Sequence, residues 1–398
     1  MRALILLIAM AWPLCAADWP QWRGPARDGQ AEARQQWPDE LERGWSIVVG
    51  EGHSSPVAEG DSVYVFSREA EAETLRRVAI SDGRVVWKTA YPVSYTPMGV
   101  AAPHGKGPKS TPVVDDGRVC TLGVTGVLSC HEAADGKLLW RKSFDKAFAS
   151  TYPLYGAAMS PIVHDGKLIA HVGGDGAGAL IAFDLASGAE AWRWAEDGPG
   201  YSSPILVRAR GRSQLVTQSE QNVIAINPDD GKTLWMMPFT TPYKQNSVTP
   251  VPFRDMLVFG GTRQPTFAVR VNADTPVKAW ESADVTLYMS TPVRVGERLC
   301  GFTEKRKGAL YCQDPNTGAV HWMSEGRMGD NALLIAAGDR IVAATSEGEV
   351  IVAPSGGAAY APEHVYKVAE SPVWAHPALV DEGLLVKDKT ALTLWRMR

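Results

Sequence analysis

A tryptophan returns at the end of one repeated phrase, at Trp87, Trp140, Trp192, Trp235, Trp280 and Trp322. In five of these six a glycine stands four residues earlier, as in Asp82-Gly83-Arg84-Val85-Val86-Trp87. A second phrase, Ser/Thr-Pro, opens each unit at Pro56, Pro112, Pro161, Pro204, Pro250 and Pro292. A period of roughly 40 to 50 residues with strand and turn signals inside it points to a β-propeller or another closed array.

The unit that begins at Ser110 reads most clearly. Four β-rich runs, Ser110 to Val114, Arg118 to Leu122, Val127 to His131 and Leu138 to Lys142, are separated by turns rich in Gly and Asp. Four short antiparallel strands, A to D, make one propeller blade. Strand A carries the proline and belongs at the inner edge, where a missing N–H is tolerated. Strand D belongs at the rim, where neighbouring blades splay apart and a large indole fills the wedge between them.

The prolines mark six blades. A degraded seventh begins near Asn331, with runs at Ala332 to Ala336, Arg340 to Thr345, Glu349 to Ala353 and Glu363 to Val368. The last unit, Ala378 to Met397, has three strands, and its fourth is available at the other end in Gly44-Trp45-Ser46-Ile47-Val48-Val49. That pairing leaves no open sheet edge between the ends of the ring. The expectation is an all-β, eight-bladed propeller closed by the N-terminal strand; seven blades is the alternative if the unit after Asn331 is irregular. The chain then divides into a leader over 1–17, an extension over 18–43 and a propeller over 44–398.

The leader reads as a secretory signal: Met1-Arg2, an apolar run from Ala3 to Leu14, then Cys15-Ala16-Ala17 before Asp18. The apolar run falls short of the roughly 20 residues needed to span a bilayer. Cys15 offers a lipid attachment point, but Trp12 and Pro13 stand where a lipobox prefers small or branched residues. The expected product is an exported, periplasmic protein without a membrane span. A formal charge of -4 and the lack of a basic tract give no footprint for nucleic acid.

Cys120 and Cys130 flank the B–C hairpin of blade 2, symmetric about Thr125; Cys300 and Cys312 flank that of blade 6, symmetric about Arg306. In regular hairpins each pair lies directly opposite across two strands, which suits a disulfide in an exported chain. The alternative is four small buried residues at alanine positions, matching Ala182 and Ala225.

The phrases Ala-x-x-Gly-Lys-x-x-Trp and Ser-x-Pro resemble the pyrroloquinoline-quinone-like (quinoprotein-like) propeller repeat, from about Trp45 to the C-terminus. Asp18-Trp19-Pro20-Gln21-Trp22-Arg23-Gly24-Pro25, with Asp28-Gly29, is similar to the mature N-terminus of many exported bacterial proteins built from it. The resemblance implies the fold more than an activity. The same repeat serves quinone-dependent alcohol dehydrogenases and the propeller lipoprotein of outer-membrane barrel assembly. The dehydrogenase branch implies pyrroloquinoline quinone with calcium as cofactors. Its adjacent cysteine pair is missing here, its catalytic aspartate and calcium ligands have no counterpart by motif, and no Cys-x-x-Cys-His occurs for haem.

In such a ring the D–A and B–C loops share one face. Just before the A strands stand His53, Lys109, Tyr201, Asn246, Tyr288, Asn331, Trp374 and His376, and the long connection from Lys142 to Met159 adds Tyr155. These positions differ from blade to blade where packing demands sameness, so they are the candidate ligand residues at the channel mouth. The function expected is binding or scaffolding in the cell envelope by a monomer, its partner an envelope protein or a small-molecule or glycan ligand. The alternative is a quinone- and calcium-dependent dehydrogenase using the pocket around Lys109, Tyr155, Asn246 and His376.

Overall fold

The computed structural model describes residues 18–33, 36–272 and 275–397; the leader expected over 1–17 lies outside them. Eight sheets follow one another around a central axis, each antiparallel in the order A-B-C-D. Blade 2 is typical, with strands Val113–Asp115, Arg118–Leu122, Leu128–Glu132 and Leu138–Lys142. The weak unit after Asn331 is a regular seventh blade, with strands Ala332–Ala337, Arg340–Thr345, Glu349–Pro354 and His364–Lys367. Glu42–Val48 pairs antiparallel with Ala391–Arg396 and completes the eighth. The count of eight and the closing strand expected from sequence are both present.

The disulfide expectation also holds. Cys120 lies directly opposite Cys130, and Cys300 opposite Cys312. Both pairs are bonded, with Cα atoms 4.1 and 4.0 Å apart.

The two repeated phrases perform two separate tasks. All but one of the rim tryptophans reach across to the C–D turn of the next blade. The Nε1 of Trp45, Trp87, Trp140, Trp192 and Trp280 donates there to a carbonyl of Ile80, Ala133, Leu185, Pro228 and Pro315. The indole rests on the turn glycine, at Gly83, Gly136, Gly188, Gly231 and Gly318. Those glycines have positive φ, and an added Cβ would meet the ring at 2.5 to 2.8 Å. Blade 5 breaks the pattern consistently. It has Pro276 at the glycine position, and Trp235 of blade 4 donates instead to Gln214 Oε1 in its own blade.

The Ser/Thr-Pro phrase knits the inner ring. The backbone N–H of His376, Ser55, Thr111, Ser160 and Thr249 donates to a hydroxyl of the following blade, on Ser55, Thr111, Ser160, Ser203 and Thr291. An inner edge strand has unpaired backbone groups that burial makes costly, and these hydroxyls satisfy several of them.

The remaining groups on the axis are met by the segment from Asp18 to Ala31, which runs inside the channel. It enters at the A–B face, where Asp18 Oδ1 accepts from the backbone N–H of Gly60. Trp19 pairs with Ala58 of blade 1, the Pro20 carbonyl accepts from Val114 of blade 2, and Gln30–Ala31 runs parallel to the inner strand of blade 7. Arg27 donates to the carbonyls of Ser160, Pro161 and Pro204 on blades 3 and 4. Arg23 donates to Pro292 of blade 6, and Trp22 to Thr249 Oγ1 of blade 5. Trp19 stacks on His376 of blade 8. One short segment therefore touches all eight blades and closes the lower end of the channel.

The tryptophan contact can be separated from backbone strain by comparing two glycines of like conformation. Gly117 (φ 68°) has open space where a Cβ would go, whereas at Gly188 (φ 70°) the Cβ would lie 2.7 Å from Trp140. In chemical denaturation G117A should cost about 1 kcal/mol from the left-handed backbone alone. G188A should cost about 1 to 3 kcal/mol more. Equal costs would contradict the docking role of the indole.

Candidate functional site

At the opposite, D–A face the channel stays open as a funnel. The floor is Trp22, held by its bond to Thr249 at 3.0 Å. Above it lies a small chamber walled by His53, His104, Tyr155, Tyr201 and Trp374 together with Lys109, Asn331 and Gln245. It opens into a wider vestibule of about 560 Å³, rimmed by Val100, Tyr243, Arg263, Tyr288, Glu304, Lys307 and Asp330.

Aromatic edges set the chamber's shape. The His104 ring meets Tyr155 and Trp374 edge-on, with centroids 5.3 and 6.2 Å apart. Tyr155 meets Tyr201 edge-on at 5.7 Å, and His53 lies 5.9 Å from Trp374. His104 ends a short 3-10 helix, Gly99–His104, within the long connection between blades 1 and 2. Its carbonyl bonds His53 Nε2 at 3.0 Å, and the Tyr201 hydroxyl accepts from the Tyr155 backbone N–H.

Both imidazoles are kept neutral. Burial, and then the Lys109 and Lys387 charges, push His53 down to about 3, and burial with the Lys109 charge lowers His104. Burial likewise brings Lys109 down to about 8, against the raising influence of Glu73. The Glu73 carboxylate is itself buried and engaged, taking the Tyr91 hydroxyl on one oxygen and the Val124 N–H on the other.

Of the nine residues singled out in the sequence, six line the inner chamber: His53, Lys109, Tyr155, Tyr201, Asn331 and Trp374. Tyr288 lines the vestibule. Asn246 and His376 lie elsewhere. Asn246 is fully buried, its amide donating to the carbonyls of Ser219, Glu220 and Phe239, so it fastens its loop. His376 is buried against the plug, bonded to the Leu334 and Pro377 carbonyls and edge-on to Trp22. Trp22 and Gln245 line the chamber without having been singled out. Gln245 follows a turn in which Tyr243 and Lys244 take positive φ, and nothing periodic announces it.

The fold and this mouth define an eight-bladed propeller of the pyrroloquinoline-quinone-like type, sealed at one end and open at the other. The family described as outer membrane protein assembly factor BamB matches residues 71–324, and the chain belongs to that family. It is 27% identical over 268 residues to outer membrane protein assembly factor BamB of Yersinia pestis, a stretch covering 67% of this chain and 62% of that protein. The chain thus spans less than two thirds of the length of that relative. The crystal structure of BamB from Moraxella catarrhalis superposes with a TM-score of 0.65 at 13% identity, over 90% of this chain and 98% of that one. Quinohemoprotein alcohol dehydrogenase from Comamonas testosteroni superposes with a TM-score of 0.68 at 14% identity, over 95% and 80%. These superpositions establish the shared fold. No helix among the described residues is long and apolar enough to cross a membrane.

The quinone–calcium pair of the dehydrogenase branch does not suit the chamber. Calcium takes six to eight oxygen ligands, carboxylates prominent among them. Among the described residues the chamber's lining includes no carboxylate, and its charged side chain is the cation Lys109. Glu304, in the vestibule above, is engaged by Thr262 Oγ1 and the Arg263 N–H. His164, Asp165 and Asp229, which come together among the described residues, lie on the opposite, A–B and C–D face.

The neutral His53 has a measurable signature. Its folded-state pKa lies below the usual 6.5, so the unfolded chain gains a proton first as pH falls, and the folded state loses stability from pH 6.5 downward. Between pH 6.5 and 4.5, His53→Gln should reduce the slope of stability against pH by about 1.4 kcal/mol per pH unit. Identical slopes would mean that His53 titrates freely.

Proposed function

We propose that this protein is a scaffold of the cell envelope that holds another envelope protein against its D–A and B–C face, in the service of outer-membrane protein assembly. The observation that carries the reading is the family match over residues 71–324, together with the relative of the same description. The leader expected over 1–17 and two disulfides favour the periplasm, where thiols are oxidised.

The face itself supports a protein partner. Exposed large apolar side chains fall into two groups. One lies along the outer D strands, as at Val85, Leu138 and Val277; the other, Met98, Val100, Leu154 and Tyr243, stands on the connections around the mouth. Val100 and Tyr243, 47% and 62% exposed, line the vestibule, beside Arg263 and Lys307. Apolar and aromatic side chains clustered beside arginine are the composition of protein interfaces.

Cross-linked capture from the envelope of the source cells tests the reading. Wild-type protein should recover a component of the outer-membrane barrel assembly machinery. The folded double variant V100E/Y243E should recover at least about tenfold less, as loss of a central contact implies. Equal recovery by the two proteins would move the interface to another face. Recovery of no assembly component by folded bait would overturn the function.

A further inference from the structure

The inner chamber holds a cation that the fold does not answer. Lys109 ends the long connection between blades 1 and 2, directly before the turn Ser110-Thr111-Pro112. Its Nζ is shielded from solvent and has no hydrogen-bond partner among the described residues. An ammonium carries three N–H donors, and burying them unmet is among the costlier things a fold can do. The contrast with Lys387 is direct. That buried lysine donates to the Gly52 and Asp388 carbonyls, at 2.6 and 3.2 Å.

The groups around Lys109 do not supply an acceptor. The Tyr95 ring centroid is 5.6 Å from Nζ, and the Tyr95 hydroxyl is itself buried without a partner. Both Glu73 oxygens are engaged by Tyr91 and Val124. The neighbouring imidazoles of His53 and His104 are held by backbone and aromatic contacts. The Lys109 side chain lines the chamber, whose surface is largely aromatic and apolar.

We propose that the chamber binds a small monocarboxylate with a flat apolar body, its carboxylate taken by Lys109 Nζ and its body packed among Trp22, Tyr155, Tyr201 and Trp374. A single point charge matches a single negative charge. A phosphate or a dicarboxylate would bring a second charge that no lining cation meets. Aromatic walls and floor favour a flat ring over an extended chain. The chamber's small size, at about 130 Å³, favours a free ligand over a peptide. The chamber lies below the vestibule whose rim carries the proposed partner face, and the two readings are tested by different variants, so each can fail without the other.

Calorimetric titration at pH 7 with benzoate and naphthoate, against their neutral amides, tests the proposal on the full chain. Wild type should bind at least one of the two acids, with a preference over its amide of about tenfold or more. Lys109→Met should lose acid binding while keeping its circular dichroism spectrum. Its melting temperature without ligand should rise, because an unmet buried charge has gone. Acid and amide bound equally, neither acid bound at millimolar concentration, or undiminished binding by Lys109→Met would each overturn the proposal. An acidic peptide that binds where both acids fail would also overturn it, by assigning the carboxylate to a partner chain. Should Lys109→Met not fold, the acid–amide comparison on wild type still decides.

Discussion

Eight inner strands converge on one axis, and each brings a row of backbone N–H and C=O groups that no neighbouring blade can pair. Hydrophobic packing between blades does nothing for these groups, and leaving them buried and unmet would cost about 1 to 3 kcal/mol apiece. The structure meets this need from two sources. Hydroxyls of the Ser/Thr-Pro phrase take N–H groups from the preceding blade. The segment threaded through the channel supplies the rest, its Arg23 and Arg27 guanidinium groups taking carbonyls at the same turns and its backbone pairing with the inner strands of blades 1, 2 and 7. The floor of the open mouth, Trp22, belongs to that same segment, so the site's shape depends on how the axis is filled.

At the rim a different relation governs. There the gap between blades widens, and an indole on one blade needs a residue without a side chain on the next. Gly83, Gly136, Gly188, Gly231 and Gly318 provide it, and the positive φ of the C–D turn selects glycine for an independent reason. Pro276 shows that the pairing has a direction. Where the glycine is missing, the tryptophan that changes its bond is Trp235 of the preceding blade, not Trp280 in the same phrase.

This difference between rim and axis explains what could be read from the chain alone. The blades, the closing strand Glu42–Val48 and both cysteine pairs repeat or obey strand register, and spacing exposes them. The segment from Trp19 to Ala31 occurs once and binds mostly to backbone carbonyls, so it has no partner motif elsewhere in the sequence. Its tight course is prepared by positive φ at Arg23, Gly24, Arg27 and Gly29, which only the glycines advertise. The candidate site was legible to the level of the loop. Divergence before the A strands pointed to the right connections, but not to which side chains turn inward. Asn246 turns back because its amide can serve several carbonyls of its own loop at once. Lys109, three residues before its proline where Asn246 stands four before, lines the chamber in blade 2, as Ser247 does in blade 5.

The central claim is that the segment from Trp19 to Ala31 is an integral part of the ring, and hydrogen exchange at single-amide resolution tests it most directly. The amides of Trp19, Gly24, Arg27 and Gly29 all donate to backbone carbonyls inside the closed channel. They should exchange as slowly as the amides of the B strands, through opening of the whole ring. Exchange of these four at the rate of an unstructured peptide, with the blades still protected, would contradict the account.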